Sequence, residues 1–333
     1  MKRKNLIVIA LVLAFVLSAC QTTGKKEQSS TTDSGKVIYT SFYPLEYMTK
    51  RIAGDKFTVK NIMPVSSSVH GWEPSAKQIA DLTKAEALII NGAGLESWLE
   101  KFKDSQENLN IIDTSKNIDL ISGKEEAHDH EEEEEHGHEE EAHGDHAHEE
   151  GHNEEEHSHG DHDPHFWISS KEASIQADNI YNALISLDKE NENYFKENYE
   201  SLKNDLNALD QEYTEKLSHS KIKKMIVPHK AFSYIERDYG IQQIPLSGVH
   251  GEGGLDMAKM KNIIEEAKTQ GITDVLYEEG SSSETAEAIV KETGGKSIPI
   301  YSLEGISQEQ VDAKEDYISL LRKNLEHFIE ATN

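Results

Sequence analysis

Cysteine is almost absent from this chain: Cys20 is the only one in 333 residues, so no internal disulfide can form. Long apolar runs are also scarce. The run that opens the chain, Leu6–Leu17, is twelve uncharged residues, short of the about 20 that a membrane-spanning helix needs. Positive charge is the third shortage. Lys and Arg number 34 against 62 Asp and Glu, so the formal charge is 34 − 62 = −28, and no basic patch in the sequence offsets it. That balance disfavours binding to a nucleic-acid backbone. Missing too are a Gly-x-Ser-x-Gly elbow and a phosphate-cradling loop, each a common mark of hydrolytic or nucleotide chemistry.

What is present begins with an address. Lys2, Arg3 and Lys4 precede the apolar run, and Ser18-Ala19 follow it. This order predicts a secretory signal over residues 1–19, with a retained signal anchor as the less favoured alternative on length. Leu17-Ser18-Ala19-Cys20 resembles a bacterial lipobox, which implies lipidation of Cys20 and attachment to the membrane. Residues 20–35 are rich in Ser, Thr, Lys and Gln without apolar periodicity, and are expected to form a flexible tether.

The body alternates strand and helix signals. Val37–Thr40, Lys56–Met63 and Ala87–Asn91 read as strands, with helices opened by Pro44 and by Ser75 between them. The same alternation returns in Met225–Val227, Gln243-Ile244, Asp274–Tyr277 and Ser297–Tyr301, separated by helical stretches and followed by a terminal helix from about Val311. The long stretch Glu190–Leu217 carries Tyr194, Tyr199, Leu202, Leu206, Leu209 and Tyr213 as an apolar stripe. The predicted fold class is α/β, with two parallel-sheet lobes joined by a long bridging helix and a ligand site in the interlobe cleft. The expected boundaries are 36–188 for the first lobe, 189–219 for the bridging helix and 220–333 for the second lobe.

Four side chains share an address within this scheme. His70 follows the strand ending near Met63, His165 follows an acidic loop, His229 lies two residues past Val227, and Glu304 lies just past Tyr301. Parallel α/β sheets place ligands beyond the carboxyl ends of their strands. Three imidazoles and one carboxylate suit Zn²⁺. A lone histidine is ordinarily a surface or satisfied residue, however, so position alone does not decide.

The flanking residues add a resemblance. His70-Gly71-Trp72-Glu73-Pro74-Ser75, Asp163-Pro164-His165-Phe166-Trp167 and Pro228-His229-Lys230-Ala231-Phe232 resemble the three histidine motifs of bacterial zinc-type ABC-transporter solute-binding proteins. Tyr301-Ser302-Leu303-Glu304 is similar to the stretch that carries the family's acidic fourth ligand. The likeness covers the body from Val37 onward, with the motifs in family order. It implies a monomeric Zn²⁺ receptor outside the cytoplasm, partnered by an ABC permease and its ATPase, with His70, His165, His229 and Glu304 as ligands and no catalytic residues. Manganese-type relatives carry a carboxylate where this chain has His229, which favours zinc. Alternatives within reach are a manganese receptor or a surface adhesin on the same fold, and more remotely a zinc hydrolase. The Gly248–Gly254 loop departs from the family pattern, so His250 is a second candidate at the cleft. Glu278 and Glu279 are rivals for the role of Glu304.

One segment has no counterpart in the α/β pattern. Residues 124–163 form an acidic, His-rich loop, and Glu125–Asp163 alone contains nineteen carboxylates, eleven histidines and no Lys or Arg. The histidines are His128, His130, His136, His138, His143, His146, His148, His152, His157, His159 and His162, often as His-x-His pairs. Such pairs chelate borderline metals, and the carboxylates concentrate cations around them. The loop is expected to gather Zn²⁺ weakly beside the main site. The plainer reading is a solvated insertion without a role.

Overall fold

A computed structural model describes residues 35–64, 67–103, 109–123, 162–249, 251 and 255–333. Among the described residues, eight strands form two four-stranded parallel sheets. The first contains β1 (Val37–Thr40), β2 (Thr58–Asn61), β3 (Ala87–Ile90) and β4 (Ile111–Asp113), in the order β2-β1-β3-β4. The second contains β5 (Lys224–Val227), β6 (Gln242–Pro245), β7 (Val275–Glu278) and β8 (Ser297–Ile300), in the order β6-β5-β7-β8. Both sheets therefore reverse strand order at the same relative place, next to β1 and next to β5. Crevices at such points, beyond the strands' carboxyl ends, are where open α/β sheets hold ligands.

Helices cross between strands as the apolar spacing predicts. In the first lobe, α1 (Tyr43–Ala53) has proline in its first turn and buries Leu45, Met48 and Ile52. It stops at Gly54, whose φ of 56° suits glycine, and a Cβ there would strike the Tyr194 hydroxyl 2.1 Å away. Next, α2 (Ala76–Leu82) is opened by a capping box between Ser75 and Gln78. A short helix, α3 (Leu99–Lys103), follows β3. Neither α3 nor β4 stood out in the sequence, because five- and three-residue elements are too brief to display a period.

After the turn His165–Ile168, a 3₁₀ element, come α4 (Ser170–Leu187) and α5 (Glu192–Ser218). They run antiparallel, as the pairing of Asp178 with Lys203 and of Ser174 with Asn207 shows. The buried face of α5 is Phe195, Leu202, Leu206, Leu209, Tyr213 and Leu217. Phe195 replaces the expected Tyr194, which is exposed, and Tyr199 instead stacks on Tyr181 at 4.4 Å. The helix joins the lobes physically. Asn198 donates to the carbonyl of Ile52 on α1 at 3.1 Å, and the Tyr213 hydroxyl donates to the carbonyl of Leu321 in the second lobe at 2.6 Å.

The second lobe adds α6 (Ser233–Tyr239), α7 (Met257–Gln270, capped by Asp256), α8 (Glu284–Thr293), α9 (Gln308–Asp312) and α10 (Tyr317–Ala331). The expected single terminal helix is two. Lys314 adopts a φ of 62°, and Asp316 starts α10 with its own capping box to Ser319. A side chain that caps a new helix competes with continuing the old one.

The acidic loop is pinched at its base. Ser122 and His162 form an antiparallel bridge, and the Asp163 amide donates to the Ile121 carbonyl at 2.9 Å. Asp163 is 1% exposed. It is part of the folded body.

Candidate metal centre

Three of the predicted residues meet. One ring nitrogen each from His70, His165 and His229 lies within 4.8 Å of the others. The His70 and His165 Nε2 atoms are 3.2 Å apart. His165 and His229 are buried, and His70 is partly exposed. The strand ends explain the convergence. His70 lies on the β2–α2 connection, His229 follows β5, and the 3₁₀ turn bearing His165 is inserted between the two lobes.

Glu304 stands at the edge of this trio, past β8. Its Oε1 is 3.6 Å from His70 Nε2, and its Oε2 accepts the Val69 amide at 3.1 Å. Among the described residues the compact trio contains the imidazoles alone. Burial, reinforced by the charge of Glu278, raises the Glu304 carboxyl above the usual carboxylate range. A cation placed among the imidazoles would favour its ionised form and draw it inward.

His165 is set by Asp163. Asp163 Oδ1 accepts from His165 Nδ1 at 2.8 Å and from the His165 amide at 2.9 Å. Burial pushes the Asp163 carboxyl up, but the hydrogen bonds and charge of His165 outweigh it and hold it below its ordinary value. An ionised acceptor at Nδ1 leaves the Nε2 lone pair facing the other histidines, the tautomer a metal requires. In the sequence Asp163 appears within the motif around His165 and among the carboxylates of the acidic run, with no role of its own. Its place two residues before a candidate histidine was the available signal.

More partners steady the same segment. The Tyr234 hydroxyl, on α6, donates to the Asp163 carbonyl at 2.8 Å, and Asn91 Nδ2 donates to the Pro164 carbonyl at 3.0 Å. The Asn91 amide in turn donates to Glu96, whose buried carboxylate also accepts from Ser41 Oγ and the Gly92 amide. Glu96 thus ties together the residues just past β1 and β3. Burial outweighs these donors and raises its carboxyl.

A cleft of about 1070 Å³ opens onto the trio from the second-lobe side, lined by His70, His229, Glu278, Glu279, Tyr301 and Glu304 among others. Glu278 and Glu279 face the cleft, but it is Glu304 that adjoins a candidate histidine. His162 is exposed, at the bridge to Ser122. Cys20, His250 and the loop histidines from His128 to His159 lie outside the described residues.

The family described as zinc-uptake complex component A, periplasmic (ZnuA), matches residues 38–331. The chain belongs to this family. Its curated relatives include the high-affinity zinc uptake system protein ZnuA of Bacillus subtilis, 31% identical over 98% of this chain and 96% of that protein. The zinc-binding protein AdcA of Streptococcus pyogenes is 33% identical over 98% of this chain. This chain spans 61% of the length of that AdcA. Among solved structures, the Zn(II)-bound ZnuA-like domain of Streptococcus pneumoniae AdcA aligns with a TM-score of 0.72 and 27% identity, covering 89% of this chain and 98% of that one. Lmb of Streptococcus agalactiae, described as a bifunctional protein with adhesin and metal transporting activity, aligns with a TM-score of 0.73 and 25% identity, covering 90% of this chain and 100% of that one. Family membership agrees with the motif reading, and the two-lobed fold is the one the strand–helix alternation predicted.

Proposed function

We propose that the chain is an extracytoplasmic receptor that binds Zn²⁺ as cargo and delivers it to the permease and ATPase of an ABC importer. The convergence of His70, His165 and His229 from separate segments of both lobes, with Glu304 beside them, carries this reading. Three borderline nitrogen donors and one oxygen match tetrahedral Zn²⁺ better than Mn²⁺, which prefers more oxygen. The names of the B. subtilis and streptococcal relatives support the same cargo. A fourth protein donor would occupy the position that a catalytic zinc keeps for water, which favours a receptor over a hydrolase. Attachment through lipid on Cys20 and a monomeric state complete the proposal.

Chelator competition on the purified protein tests it. One equivalent should bind with a strong preference for Zn²⁺ over Mn²⁺, and His229→Asp should narrow that preference. Equal or tighter binding of Mn²⁺ by the parent protein would overturn the zinc assignment. In cells, deletion should give a growth defect in low zinc that added zinc corrects. The likeness to Lmb supports adhesion as a second reading. It predicts binding of host matrix protein that survives substitution of the histidines.

A further inference from the structure

Trp167 lies two residues beyond His165 and is fully buried. A buried indole has to place its N–H on an acceptor. This one donates to the carbonyl of Ser302 at 2.9 Å, across the two lobes. Ser302 opens the loop that carries Glu304, and Leu303 between them has a φ of 64°. A bulky residue keeps that left-handed conformation only where its surroundings over-determine it. Here two anchors do so: the Leu303 side chain is 2% exposed in the core, and the carbonyl just before it is held by Trp167. The turn so held aims Glu304 back at the Val69 amide and at His70.

Trp167 is itself fixed on the first-lobe side. Its ring meets Phe42 edge-on at 4.8 Å and lies 5.0 Å from the His165 ring. From the second lobe, the Tyr317 hydroxyl of α10 also donates to its carbonyl. The geometry points to Trp167 as a positioning residue that sets Glu304 relative to His165 and so couples the donors of the two lobes. Core packing alone would give Trp167 a share in stability, but no particular link to Glu304. The inference rests on the reading of Glu304 as a zinc ligand, and the experiment separates the two.

Zinc affinity is measured by chelator competition for the parent protein, Trp167→Phe, Glu304→Ala and the double variant. Trp167→Phe keeps an aromatic ring beside Phe42 and removes the N–H. It should weaken zinc binding by about tenfold, the scale for a lost outer partner. In the Glu304→Ala background the same change should cost less than about twofold, because the interaction it supports is already gone. A full tenfold loss added to Glu304→Ala overturns the positioning role while leaving Glu304 a ligand. If Glu304→Ala alone binds zinc like the parent, the ligand reading fails and this inference with it. Should Trp167→Phe fold poorly, 3-benzothienylalanine introduced at position 167 keeps the bicyclic shape without the N–H. The same non-additivity is expected from it, and simple additivity would again overturn the role.

Discussion

His165 is held from every side, whereas Glu304 rides on a loop with its carboxylate outside the compact trio. Asp163 grips the ring and amide of His165, Tyr234 and Asn91 hold the carbonyls before it, and no part of His165 is exposed. The Glu304 carboxylate accepts from the Val69 amide and the Ser68 side chain and lies 3.6 Å from His70. A donor fixed before binding costs little further ordering when metal arrives. A donor whose carboxylate stands outside the compact trio can arrive late and leave early. The contrast suits a receptor that must both seize and release, with a preset floor and an adjustable side.

The largest expected effect comes from attacking the preset side. His165→Ala should weaken zinc binding by more than the about 100-fold at the upper end for an outer partner, and by more than Glu304→Ala does. Equal losses in chelator competition would abolish the contrast. Behind this segment, Arg237 on α6 donates to Glu172, Asp238 and the Asp119 carbonyl. Arg237→Ala should cost about 2 kcal/mol of stability in denaturant unfolding, less than for a fully buried pair because Arg237 is partly exposed. Burial pushes the Asp238 carboxyl up, but Arg237 and Lys171 outweigh it and hold it below its ordinary value. Its stabilising share is therefore complete above the unfolded pKa of about 3.9 and lost as pH falls through the lower folded value. Burial raises the carboxyl of Glu172, the other partner of Arg237. The gap between parent and Arg237→Ala should therefore be full at neutral pH, begin to shrink as Glu172 protonates above its ordinary range, and shrink further below about pH 4. A gap that stays flat would assign the loss elsewhere.

Asp163→Asn keeps an acceptor oxygen but not the charge, and should weaken zinc binding by about tenfold. Nitrogen NMR of the metal-free variant should show His165 no longer confined to its Nδ1–H tautomer. Unchanged affinity would mean that packing, not Asp163, orients the ring. The smallest effect on the main site, none, is expected from deleting residues 125–161. Weaker zinc equivalents should vanish in calorimetric titration while the tight one persists. In the full chain those weak equivalents should fade as pH falls below about 6 to 7, where histidine protonates. Loss of the tight site with the loop would refute a separate collector.

Much of the fold was legible because its signals are local. Helices such as Glu284–Thr293 are set by apolar spacing and by residues such as Gly294 that stop them. Elements too short for a period, α3 and β4, were not. The break before α10 depended on Asp316 capping a second helix inside an apolar pattern that continued across it. For the site, the three histidines were readable from their flanks, whereas the grip of Asp163 on the His165 ring was not, because a motif residue carries no sign of which atom it faces.

The α/β class, the two lobes, the bridging helix and the donor types follow from short stretches of chain, because periodicity, caps and side-chain chemistry are local properties. Tertiary structure alone decided which atoms meet. The residues from His70 to His165 and from His229 to Glu304 are brought together by sheet order and by α5 docking on both lobes, and no local pattern encodes those distances. The same holds for the bonds that govern the donors. Asp163 faces the His165 ring, and Trp167 reaches the carbonyl of Ser302, because packing buried them where each polar group needed a partner.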